Sequence, residues 1–107
     1  MSATPTVGVV RVPWNDHVYL KRVLDVGAEA VLIPSVDTAD EARAAVAACL
    51  YPTRGRRGTA ASSVRASSYG MAPDYVATCA ENLMIACQIE SAKAVENIDE
   101  ILAVDGI

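Results

Sequence analysis

Two strand ends carry the residues able to do chemistry. The tract V-G-V-V-R-V-P-W-N-D, from Val7 to Asp16, sets a single arginine, Arg11, at the close of a β-branched run that Pro13 breaks. A lone guanidinium at the carboxyl end of a buried strand is costly unless an anion meets it. In α/β proteins that end of the sheet is where active sites form. The second tract, I-A-C-Q-I-E, puts Gln88 and Glu90 at the end of another apolar run, alternating so that both point to one face. A cation and a carboxylate so placed suit a site for an anionic substrate, with a metal ion as one option.

Each of these residues has a structural alternative. Arg11 can pair with an acidic neighbour. Glu90 can cap the helix that starts near Ser91, an interaction worth about 0.3–1 kcal/mol. Gln88, if buried, needs a hydrogen-bonding partner. The single histidine, His17, sits near a helix start and reads as structural, and Trp14 reads as a core anchor, with the pocket rim as its alternative.

The elements that must hold these side chains follow from pattern and punctuation. Val7 to Val12 is a strand, and Asp16 to Val26 a helix with Tyr19, Val23 and Val26 on one face and Leu20 and Leu24 beside them. Gly27 fits the left-handed position that ends such a helix. Ala30 to Ile33 is a short strand closed by Pro34. Thr38-Ala-Asp-Glu41 is a capping box opening an Ala-rich helix to about Leu50. From Thr53 to Ala72 the pattern dissolves into Gly, Ser, Arg and Ala, a long connection of the kind that often carries function. Pro73 opens a helix to about Asn82, Leu83 to Ile89 is the third strand, and a last helix starts at Ser91 with Val95, Ile98 and Leu102 on one face. Val104 to Ile107 turns toward a further strand.

This βα rhythm calls for a parallel sheet with right-handed crossovers. So few strands cannot close a barrel, which takes about eight, so the expectation is a piece of a larger fold. The 107 residues suit one domain, 52% hydrophobic and 21% charged, with one Trp, four Tyr and no Phe. A formal charge of −4 argues against a general nucleic-acid or membrane binder. Cys49, Cys79 and Cys87 are odd in number and far apart, which fits buried free thiols in a reducing compartment. The start M-S-A-T-P-T lacks the basic and apolar regions of a signal peptide, and no apolar run nears the roughly 20 residues that span a bilayer. A soluble, cytoplasmic protein is expected.

The tract V-V-R-V-P-W-N-D with L-K-R-V-L-D-V-G-A resembles the HpcH/HpaI aldolase family of metal-dependent 2-oxo acid aldolases. The likeness continues through V-L-I-P-S-V, D-E-A-R-A-A-V-A-A, Y-P-T-R-G-R-R-G, R-A-S, P-D-Y, C-Q-I-E-S and V-D-G-I, covering nearly the whole chain. It implies α/β architecture as part of a (β/α)8 TIM barrel, from about strand three to the start of strand six, with residues 1–107 a fragment of one domain. It implies cleavage of a 4-hydroxy-2-oxo acid to pyruvate and an aldehyde, with Arg11 stabilising the pyruvate enolate, Glu90 binding a divalent ion (Mg²⁺, Mn²⁺ or Co²⁺), and Gln88 in the substrate pocket. The family's catalytic histidine lies on the preceding strand. Its second metal carboxylate is an aspartate in a G-P-x-D segment after Ile107. Both are outside this chain, which is therefore expected to be inactive alone.

Two departures stand out: His17 where proline is common, and Ser35 where a bulky residue is common. Family members are oligomers, commonly hexamers, so Arg54, Arg56, Arg57 and Arg65 read as a subunit contact; the phosphate-binding motifs that would make them a phosphate or CoA site are absent. The alternatives are a CoA-ester lyase of the citrate lyase β-subunit type and a non-catalytic half-barrel.

Overall fold

A computed structural model describes residues 4–107; residues 1–3, where the signal-peptide reading begins, lie outside the described part. Three strands, β1 (Val9–Arg11), β2 (Ala30–Ile33) and β3 (Met84–Cys87), form one parallel sheet in the order β1-β2-β3. Arg11 lies opposite Leu32, and Leu32 opposite Ala86. The outer strands are shorter than their apolar runs, although single ladder bonds continue past them. Val12 N–H donates to the Leu32 carbonyl at 3.0 Å and Gln88 N–H to the Ile33 carbonyl at 2.8 Å.

Helix α1 (His17–Asp25) joins β1 to β2. The return to β3 uses α2 (Ala39–Cys49), the long loop, and α3 (Tyr75–Thr78), which runs on as a 3₁₀ turn to Asn82. The caps are local and match the sequence. Asp16 accepts from Tyr19 N–H, Thr38 and Glu41 form the reciprocal capping box, and Ser91 accepts from Ala94 N–H. Gly27 takes φ +101° behind α1.

The last helix departs from expectation. It breaks at Asn97 into α4 (Ala92–Glu96) and α5 (Ile98–Leu102). The Asn97 side-chain amide reaches the Asp37 carbonyl at 2.8 Å, so this residue ties the segment to the loop before α2. Side chains entering the core are then Ala94, Ile101 and Val104, while Val95, Ile98 and Leu102 face outward, Leu102 with 68% of its surface exposed.

The core lies between one face of the sheet and the helices. Val12, Val31, Ile33 and Ile85 meet Leu20 and Leu24 of α1 and Ala42, Ala45, Val46 and Cys49 of α2. Alanines let α2 approach closely, which explains a core with so few aromatics. The opposite face, with Val9, Arg11 and Met84, is exposed. Of the α1 residues, Leu20 and Leu24 are the buried pair; Tyr19 and Val26 are exposed. No helix among the described residues is long and apolar enough to cross a membrane.

Candidate functional site

Arg11 and Gln88 meet across the carboxyl ends of the strands. Residue 88 lies two beyond Ala86, on the face that carries Arg11 and Leu32. The Arg11 Nε–H donates to Gln88 Oε1 at 2.6 Å, spanning β2. Gln88 is itself fixed through its backbone, whose N–H is bound to Ile33 and whose carbonyl accepts from Val36 N–H at 3.4 Å. The partner of Arg11 is thus a neutral amide, and no acidic side chain among the described residues pairs with the cation. Because Nε is the atom engaged, the guanidinium fork at the other end remains available for a carboxylate or enolate oxygen.

Glu90 stands two residues further on and is exposed. Its Oε1 accepts from the Ser35 N–H at 2.8 Å and from the Ser35 hydroxyl at 3.2 Å. It does not cap α4, since Ser91 performs that task by accepting from Ala94 N–H at 3.0 Å. The two loops that frame Glu90 are stitched together by Val36 N–H on Gln88, the Ser91 hydroxyl on the Asp37 carboxylate, and Asn97 on the Asp37 carbonyl. A hard divalent cation takes oxygen ligands, often one or two carboxylates with water and substrate completing the shell. Glu90 fits as one such carboxylate, with Oε2 taking no hydrogen bond from the described residues. The described residues hold no group of three or more His, Cys, Asp or Glu able to bind a metal.

The remaining candidates lie elsewhere or differ from expectation. His17 is exposed as the first residue of α1. Trp14 is not a core anchor: it is 56% exposed, its ring 5.6 Å from that of Tyr19, because the turn after Pro13 carries it out over α1. Burial pushes the Cys49 thiol up to about 12 and raises that of Cys87, so neither presents a thiolate nucleophile near neutral pH.

The arginine-rich loop divides. Arg54, Arg56 and Arg65 are exposed, Arg65 donating to the Val26 carbonyl at 3.3 Å. Arg57 is not available for a subunit contact, being only 3% exposed. Its Nη2 bonds Asp25 at 2.9 Å and the Tyr75 hydroxyl at 3.1 Å, and the guanidinium lies 4.4 Å from the Tyr51 ring centre. Desolvation works against its charge, but the bonds to Asp25 and Tyr75 prevail and raise its pKa. It lines a cavity of about 160 Å³ with Glu29 and Leu83, residues that precede β2 and β3, so it belongs to the opposite end of the sheet from Arg11.

An arginine that no described acidic side chain pairs and an exposed carboxylate thus lie at the carboxyl ends of parallel strands on an α/β scaffold. The chain belongs to the HpcH/HpaI aldolase/citrate lyase family, whose model matches residues 1–107. It is 46% identical over 107 residues to a 4-hydroxy-2-oxo-heptane-1,7-dioate aldolase of Salmonella dublin, covering 100% of this chain and 41% of that protein. Among solved structures, an HpcH/HpaI aldolase/citrate lyase family protein from Burkholderia cenocepacia J2315 superposes with a TM-score of 0.92 at 36% identity, over 96% of this chain and 41% of the other. The HpcH/HpaI aldolase of Desulfitobacterium hafniense DCB-2 gives 0.80 at 39% identity, over 92% and 38%. The chain therefore spans about two fifths of the length of the relatives it matches.

Proposed function

We propose that this chain supplies part of the active site of a divalent-metal-dependent aldolase that cleaves a 4-hydroxy-2-oxo acid to pyruvate and an aldehyde. In this reading the three-stranded sheet is a portion of a (β/α)8 barrel, from about strand three to the start of strand six. The observation that carries the proposal is Arg11, oriented by Gln88 and without an anionic partner among the described residues, across β2 from the strand end that bears Glu90. The names of the relatives, aldolases of a 4-hydroxy-2-oxo dioic acid, support the substrate class.

Breaking the C3–C4 bond leaves an electron pair that becomes a pyruvate enolate, while the 4-hydroxyl proton departs to a base. Arg11 directs its free N–H groups at the developing negative charge, and orientation before the reaction is what makes such a donor effective. Gln88 holds the guanidinium in place through Nε. Glu90 would hold Mg²⁺, Mn²⁺ or Co²⁺, which when bound supplies Lewis acidity toward the 2-oxo acid. The base is expected from outside this chain, where the resemblance puts a histidine. We also propose a homo-oligomer, as the resemblance to a family whose members are commonly hexamers implies.

The test uses the intact gene product with Mn²⁺ or Co²⁺ and 4-hydroxy-2-oxoheptanedioate, following pyruvate release. Arg11→Ala and Glu90→Gln are each expected to lower kcat/KM by at least about 100-fold. Activity preserved in both variants rules the assignment out. The citrate lyase part of the family supports the second reading, which turnover of an acyl-CoA in place of the free acid would select.

A further inference from the structure

We propose that Ser35 is a positioning residue that locks Glu90 into presenting one carboxylate oxygen, Oε2, outward as a single-oxygen ligand; this rests on the reading of Glu90 as a metal ligand. Both donors of Ser35, the backbone N–H at 2.8 Å and the hydroxyl at 3.2 Å, converge on the same atom, Oε1. Two charge-assisted bonds to one oxygen restrict rotation of the carboxylate and leave the other oxygen to a ligand.

The backbone shows that the hydroxyl has a cost. Ser35 has φ +54°, the left-handed region that non-glycine residues rarely enter. Its neighbours maintain that conformation. Pro34 and Val36 are buried on either side, Val36 fully, and Val36 N–H is bonded to the Gln88 carbonyl. Glycine would satisfy this backbone with less strain and still offer the N–H. Only the hydroxyl is gained by placing serine here, and the hydroxyl goes to Glu90.

Mn²⁺ binding to the intact gene product, read from the electron paramagnetic resonance of free Mn²⁺, tests this alongside thermal unfolding of each variant. Ser35→Ala and Ser35→Gly are both expected to weaken Mn²⁺ binding about tenfold. The glycine variant should unfold at or above the wild-type temperature, so a binding loss there is not a folding loss. If Ser35→Gly and Ser35→Ala bind Mn²⁺ within about twofold of wild type while Glu90→Gln abolishes binding, the positioning role is overturned and the ligand role of Glu90 stands. Unchanged binding in Glu90→Gln overturns the ligand reading and the role of Ser35 with it.

Discussion

Replacing Arg57 with methionine tests whether a loop arginine serves as an internal fastener. The substitution keeps an unbranched stem and deletes the charge, the bonds to Asp25 and Tyr75, and the stacking on Tyr51. Removing one partner of a buried ion pair costs about 3–5 kcal/mol. The lower end applies, since the Asp25 side chain keeps 13% exposure and a second cation, Lys21, as partner. Loss of the cation–π contact adds roughly 0.5–2 kcal/mol. In the other direction, Arg57 Nε is buried without a hydrogen-bonding partner among the described residues, and removing that orphan returns about 1–3 kcal/mol. The net expectation is a destabilisation of about 2 kcal/mol. Urea unfolding of the intact gene product, followed by circular dichroism, measures it. Asp25→Asn combined with Arg57→Met should show a coupling of about 1–3 kcal/mol. An Arg57→Met stability within about 0.5 kcal/mol of wild type, at unchanged denaturant slope, would refute the reasoning.

Two further outcomes concern stability. Burial pushes both the Cys49 thiol and the Tyr51 hydroxyl up to about 12, well above their ordinary ranges. The unfolded chain therefore releases these protons first, and stability should fall as pH climbs from about 9 toward 12, by roughly 1.4 kcal/mol per pH unit for each group once it ionises in the unfolded state. Urea midpoints across this range should decline, less steeply between pH 9 and 10 in Cys49→Ala; a midpoint constant to pH 11 would contradict the burial argument. Thr38→Ala removes the bond to Glu41 N–H and should cost about 1 kcal/mol, with Thr38→Ser close to wild type. Equal denaturation curves for Thr38→Ala and wild type would show that α2 does not depend on its cap.

What was legible in the sequence was local. Asp16, Thr38, Glu41, Ser91 and Gly27 mark helix ends because a cap is made among residues within one turn, and each acts as its type predicts. The buried strand β2 was bounded to the residue by its apolar run and Pro34. The edge strand β1 was not, because its ladder ends where a neighbour is lacking on one side. The residue types at the site were also visible, since a cation and a carboxylate closing apolar strands are unusual in any chain.

Which groups touch was decided by the tertiary structure. Arg11 and Gln88 are 77 residues apart, and Ser35 and Glu90 are 55 apart. These pairs form only once the parallel register sets three strand ends side by side, and no local pattern encodes that register. The same holds for Arg57, whose glycine-flanked tract reads as a subunit contact until Asp25, Tyr51 and Tyr75 close around it. It holds too for the last helix, where a bond from Asn97 to a distant carbonyl turned Ala94 and Ile101 inward in place of Val95 and Leu102. Local chemistry determined the elements and the reactive residue types; long-range packing chose their partners, because its energy arises only between segments the fold has already brought together.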